Sequence, residues 1–217
     1  VTIGAMVGPE AFTEVRYLAH AKQMQALDLV PEIAAEFAAA FGRPSGGLLR
    51  RYRTEGAKTV VVALGSVLGT IEDVVDELRD DGVQIGALGI TCFRPFPLEE
   101  IRAALADADR VVVVERAFAV GVGGIVGQNV RLALAGVPPV VYDVVAGLGG
   151  RPVTRRALRA LVDDVHEGWI EPNRLHFLDL DAQLVERELQ RLSEKRRSGP
   201  HAENILRDVG IVGARSH

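Results

Sequence analysis

The chain has 217 residues, is 48% hydrophobic and carries a formal net charge of −4. That provides apolar material for one full-sized soluble core with extra elements. The mild acidity excludes a nucleic-acid binder, which needs a dense basic face to neutralise phosphates.

One cysteine, Cys92, excludes an intrachain disulfide framework and a self-contained cysteine-ligated iron–sulfur cluster, and it fits a reducing, cytoplasmic compartment. No apolar run is long and charge-free enough to cross a bilayer, and no signal-peptide pattern opens the sequence. The first residues, VTIGAMVGPE, read as the interior of a longer polypeptide. Lysine occurs only at Lys22, Lys58 and Lys195, and the basic run around Lys195 reads as a solvated helix end.

Three parts are expected. Residues 1–55 form a helical arm and linker. Phe12, Val15 and Leu18, then Ile33, Phe37 and Phe41, recur at helical spacing. Pro31 is placed to open the second helix and Gly42 to stop it. The arm is too thin to bury its own apolar face. The stretch from Gly42 to Gly47 reads as a linker.

Residues 56–180 alternate strand and helix. TVVVALG is an apolar strand, and TIEDVVDELRDDG is a helix with Ile71, Val74, Val75 and Leu78 on one face. Thr70 is its expected N-cap, with Asp73 as capping-box partner. VQIGALGITCF, RVVVVE and PVVYDVVAG are further strands. PLEEIRAALADAD, IVGQNVRLALAG and VTRRALRALVDDVHEG are the intervening helices, the last capped by Thr154 and ended by Gly168. WIEPNRLHFLDL adds a candidate last strand. Doubly apolar strands, each followed by a helix, predict an α/β fold: an open, mostly parallel sheet with helices on both faces. Residues 181–217 form a helical tail, with Leu184, Val185, Leu189 and Leu192 in one stripe broken by RSGPHAEN.

AFAVGVGGIVGQNVRLAL follows the third strand and invites comparison with a dinucleotide fingerprint. Gly121 and Gly123 fit Gly-x-Gly-x-x-Gly, but Val126 holds the third glycine position. No Lys-Ser or Lys-Thr follows, so the stretch is not a P-loop. The glycines read instead as a backbone bend at a helix start.

Function in open parallel sheets gathers at the carboxyl ends of the strands. The candidates there are Ser66 and Thr70 after the first strand, Arg94 after the second, Arg116 after the third and Arg151 after the fourth. They could hold an anion or pair across an interface, or each arginine could pair with a nearby acid such as Glu99, Glu115 or Asp143. The five histidines lack metal-ligand spacing. His166 sits where a helix C-terminus favours a cation, and Cys92 reads as an inert thiol in an apolar strand. No complete catalytic constellation can be assembled from these residues.

GSVLGTIEDVVDELRDDGVQIGALGITCFRPFP, then ERAFAVGVGG, then GLGGRPVT, preceded by GAMVGPEAFTEVRYLAH and FGRPSGG, resemble the alpha subunit of 2-oxoacid:ferredoxin oxidoreductases, the pyruvate type above all. The resemblance spans about residues 3 to 175. It implies the end of a thiamine-binding domain, then a domain shaped like the C-terminal domain of transketolase. It also implies oxidative decarboxylation of a 2-oxoacid, with the acyl group passing to coenzyme A and electrons to ferredoxin. Thiamine diphosphate would lie between a preceding domain and a beta subunit, and iron–sulfur clusters on other subunits or domains. No catalytic residue, cofactor ligand or metal ligand of that family carries over to this chain, which is expected to serve assembly within an oligomer. The apolar run ERAFAVGVGG departs from the more polar run of the pyruvate enzymes, leaving the 2-oxoacid and the coenzyme A step open. The alternative is a stand-alone nucleotide-binding or regulatory α/β module.

Overall fold

The computed structural model describes residues 7–195, 205, 206, 209 and 210. The chain divides into two units, Val1–Leu178 and Asp179–His217.

The first unit begins with helices α1 (Pro9–Met24) and α2 (Ala26–Phe41). Neither contains a buried residue. Phe12 is 54% exposed, Leu18 60% and Phe41 67%, so the arm does leave its apolar face uncovered. Gly42 ends α2 in the left-handed region at φ 66°, donating its N–H to the Ala38 carbonyl. Pro31, expected at a helix start, lies inside α2. Gln25 between the helices keeps right-handed helical angles, so the second helix begins before the proline reaches its first turn.

The sheet follows. Its strands are β1 (Leu49–Tyr52), β2 (Thr59–Ala63), β3 (Ile85–Ile90), β4 (Arg110–Glu115), β7 (Val140–Val145) and β8 (Leu175–Phe177), with a two-residue hairpin, β5 (Phe118–Ala119) and β6 (Gly123–Gly124), after β4. The order across the sheet is β1-β3-β2-β4-β7-β8. Among the described strands of this sheet, β1 alone is antiparallel, with Leu49 opposite Ile90. β8 pairs parallel to β7 and supplies the candidate last strand. β1 lies in the stretch read from sequence as arm and linker.

Helices α3 (Val67–Asp80), α4 (Leu98–Leu105), α5 (Ile125–Ala133) and α6 (Arg155–Glu167) cover both faces. Alternating side chains of each strand go to opposite layers. Val61, Val112 and Val114 join Ile71, Val75 and Leu78 of α3 and Leu158, Leu161 and Val165 of α6. Val60, Val62, Val111 and Val113 join Ile101 and Leu105 of α4 and Val126 and Val130 of α5. Each fully buried aliphatic side chain of this kind contributes about 1.5–3 kcal/mol through removal from water. Thr154 caps α6 by accepting the Ala157 N–H at 3.1 Å, and Gly168 ends it at φ 79°.

Helix α3 starts at Val67, three residues before Thr70, so Ser66 and not Thr70 is the N-cap. Val67 and Leu68 pack against the core and draw the helix start forward.

In the second unit, α7 (Ala182–Lys195) is capped by Asp181, whose Oδ1 accepts the Leu184 N–H at 2.9 Å. Val185 and Leu189 are exposed on it. The expected break at RSGPHAEN and the side chain of Leu192 lie outside the described residues.

Candidate functional site

β2 is central. The chain leaves it for β3 on one side and later for β4 on the other. The connections after β2 and β4 therefore diverge, opening a crevice at the carboxyl ends of the strands. A cleft of about 290 Å³ lies there, lined by Gly65, Ser66, Glu115, Arg116, Ala146 and Val153 among others. The topology thus brings Ser66 and Arg116 together.

Glu115 decides what the glycine turn does. It ends β4 and is 5% exposed. Its carboxylate accepts the backbone N–H of Val126 at 2.7 Å and of Gly127 at 2.8 Å, in the first turn of α5. The positive end of α5, where a pyrophosphate would sit in a dinucleotide fold, already holds an anion of the chain's own. Burial pushes the Glu115 carboxyl above its ordinary range; the N–H bonds from α5 oppose this, and neighbouring Asp143 adds to it.

The same carboxylates explain the glycines. A Cβ on Gly124 would stand 2.1 Å from Glu115 Oε1, and one on Gly127 would stand 2.1 Å from Asp143 Oδ1. Both residues let the backbone of α5 approach two acids closely. Asp143 is clamped in turn by Arg131, whose Nε and Nη2 donate to Oδ2 at 2.9 and 2.7 Å. Asp143 Oδ1 is buried without a hydrogen-bond partner. This Glu115–Asp143–Arg131 cluster escaped sequence reasoning; an acid ending β4 and another within the apolar run of β7, beside a Gly-rich helix start, were its only signal.

The hairpin that follows is anchored at its base. Phe118 meets Phe177 edge to face with ring centres 5.2 Å apart. Its tip projects, with Val120 88% and Val122 68% exposed.

The other candidates fall elsewhere. Arg94 stacks over Phe93 at 4.1 Å and donates to the Phe93 carbonyl. Arg151 is exposed and already engaged in an interaction of its own. Thr70 is in the body of α3 and does not line the cleft. Two of the three acids named as possible arginine partners are used otherwise: Asp143 binds Arg131, and Glu115 binds backbone. Arg116 has no ion pair or side-chain hydrogen bond among the described residues.

Two further expectations need correction. Cys92 lies beyond the end of β3, half-buried, with Sγ 3.6 Å from the Pro95 carbonyl, because the strand ends at Ile90. The helix end does not win at His166: burial and then the charge of Arg110 push its pKa below the ordinary value, against the pull of Asp163. Its Nε2 lies 2.8 Å from the hydroxyl of buried Thr59.

Among the described residues, no group of three His, Cys, Asp or Glu side chains could hold a metal ion. No helix among them is long and apolar enough to cross a membrane.

Residues 57–158 match the family described as pyruvate:ferredoxin oxidoreductase core domain II. The chain is 34% identical over 162 residues to pyruvate synthase subunit PorA of Methanothermobacter thermautotrophicus, covering 75% of this chain and 42% of that protein. It is 38% identical over 171 residues to PorA of Thermotoga maritima, covering 76% and 43%. To ketoisovalerate oxidoreductase subunit VorA of Pyrococcus horikoshii it is 32% identical over 167 residues, covering 76% and 42%. The chain therefore spans less than half the length of these curated relatives. The matched span 57–158 includes the residues that line the switch-point crevice, and on these matches the chain belongs to the family of 2-oxoacid:ferredoxin oxidoreductase alpha subunits.

Proposed function

We propose that this chain is the part of an alpha subunit that assembles a thiamine diphosphate-dependent 2-oxoacid:ferredoxin oxidoreductase without performing its chemistry. The whole enzyme would oxidatively decarboxylate pyruvate or a related 2-oxoacid, transfer the acyl group to coenzyme A and pass electrons to ferredoxin. Relatives named as subunits of pyruvate synthase and of ketoisovalerate oxidoreductase support that class of substrate.

The observation that carries the assembly role is the uncovered apolar surface. Two full helices bury no residue, and a hairpin tip presents Val120 and Val122 to solvent. Surfaces of this kind mark contacts with other chains or domains. Exposed Phe12, Leu18, Ile33 and Phe41 would be covered by the preceding thiamine-binding domain or a beta subunit.

Neither cofactor fits the helix start of α5 or the cysteine content of the sequence. A diphosphate needs free donors and a metal-ligating group, whereas the α5 donors are taken by Glu115 and the described residues offer no metal cluster. A cysteine-ligated iron–sulfur cluster needs several thiolates, and the sequence has Cys92 alone. Thiamine diphosphate and the clusters would therefore belong to other parts of the complex. The occupied α5 terminus also argues against the nucleotide-binding alternative.

Purification of the native protein that contains this sequence tests the reading. A beta subunit, thiamine diphosphate and an iron–sulfur chromophore should accompany it, with 2-oxoacid-dependent reduction of ferredoxin. Phe12→Glu with Leu18→Glu should weaken that association. Saturable, stoichiometric binding of thiamine diphosphate by the 217-residue chain alone would overturn the assembly role.

A further inference from the structure

The cleft at the switch point has an unused cation. Among the described residues, Arg116 is the only basic one lining it, and its side chain has no partner. Six other arginines of the first unit, such as Arg53, Arg131 and Arg155, are paired with carboxylates. Arg116 is exposed, and Gly147 leaves room for its guanidinium. A Cβ on Gly147 would stand 2.9 Å from its Nε and 3.1 Å from Nη2, and only a glycine, here at φ 73°, lets the guanidinium lie so close.

Glu115, the acid beside it, does not neutralise this cation. Its carboxylate is turned into the fold and occupied by the Val126 and Gly127 N–H groups. Ser66 lines the same cleft, exposed, with a hydroxyl that makes no capping bond. The remaining walls, including Val67, Val126, Ala146 and Val153, are apolar.

From this arrangement we infer that the cleft binds a small organic anion: an oxyanion head, carboxylate or phosphate, on a short apolar body. Arg116 and the Ser66 hydroxyl take the head, and the valine and alanine walls take the body. A planar, permanently charged guanidinium suits either head group. A cavity of about 290 Å³ is at the small end of ligand pockets and suits a small ligand. Of the three strand-end arginines, the structure singles out Arg116, because Arg94 is stacked on Phe93 and Arg151 is otherwise engaged. The site uses this chain's residues alone, so it stands or falls independently of the assembly role.

The test is an NMR titration of the 217-residue chain with inorganic phosphate, n-butyrate and n-butyl phosphate at fixed ionic strength. Saturable shifts are expected at the Gly65–Leu68 amides and the Arg116 Nε–H. The alkyl-bearing anions should bind at least about tenfold more tightly than phosphate, since their methylenes leave water for the apolar walls. Which of the two organic anions binds more tightly identifies the head group. Arg116→Ala should weaken binding tenfold or more, Ser66→Ala less, and Arg94→Ala not at all. Shifts that do not saturate, that spread over all exposed arginines, or that persist unchanged in both Arg116→Ala and Arg116→Gln would overturn the inference.

Discussion

Gly127 and Gly69 occupy the same place in two helices, the third helical residue of α5 and of α3. Helix propensity alone favours alanine over glycine by about 1 kcal/mol at either position. The structure predicts opposite outcomes. Nothing lies within 4 Å of a Cβ on Gly69, so Gly69→Ala should stabilise by about 0.5–1 kcal/mol. A Cβ on Gly127 would meet Asp143 Oδ1 at 2.1 Å, its Cγ at 2.8 Å and Glu115 Oε1 at 3.3 Å. Asp143 cannot swing aside freely, because Arg131 grips its other oxygen with two bonds. Overpacking costs about 1–3 kcal/mol, and a weakened hydrogen bond to a charged group costs about 1.5–3 kcal/mol. Net of the propensity gain, Gly127→Ala should destabilise by about 2–4 kcal/mol. At about 2–4 °C per kcal/mol for a chain of this size, its melting temperature should fall by about 5 °C or more while that of Gly69→Ala rises by a few degrees. Scanning calorimetry of both variants beside the parent reads this directly. If Gly127→Ala melts at or above the parent, the close approach of α5 to the two carboxylates is wrong.

Other consequences can be measured on the same protein. Because burial raises the folded Glu115 pKa, the native state binds more protons than the unfolded chain between the ordinary glutamate value and the raised one; stability should fall as pH rises through that window, and Glu115→Gln should flatten the slope in urea melts. His166 carries the opposite sign. Its folded pKa is lowered, so its contribution is complete above the ordinary histidine value and is lost as pH falls through the window down to the lowered one; His166→Gln should remove that acid-side loss, and a histidine titration placing its pKa above the ordinary value would contradict the burial argument. Thr154→Ala removes the α6 cap and should cost about 1 kcal/mol, with Thr154→Ser recovering most of it in chemical denaturation.

The elements that could be read from sequence are those whose cause is local. The α6 limits follow from Thr154 and Gly168, and the β4 limits from a run of valines between two charged residues. Elements set by remote partners were not legible. β1 has four residues with its two arginines exposed in the middle, so no alternation marks it; its reason for being a strand is β3. Thr70 and Asp73 make a plausible capping box, yet α3 starts earlier because Val67 and Leu68 find the core. The candidate arginines illustrate the same division. Sequence places all of them at strand ends, but only the strand order puts Arg116 in one cleft with Ser66. The glycines after β4 signalled a close approach, while the approaching groups come from two different strands and one is twelve residues upstream.

The carboxylate of Glu115 at the head of α5 amounts to a ligand that never dissociates. Even a flexible tether presents its group at about millimolar effective concentration, and a rigid strand end presents it far higher. A dissolved phosphate or nucleotide at cellular levels therefore competes for those two N–H groups at a disadvantage that no modest rise in its concentration reverses. The helix end keeps its charge complementarity as an internal latch between β4 and α5. Shortening that one side chain, as in Glu115→Gly, would convert the latch into an open receptor for external anions and make the folding of this edge dependent on their supply.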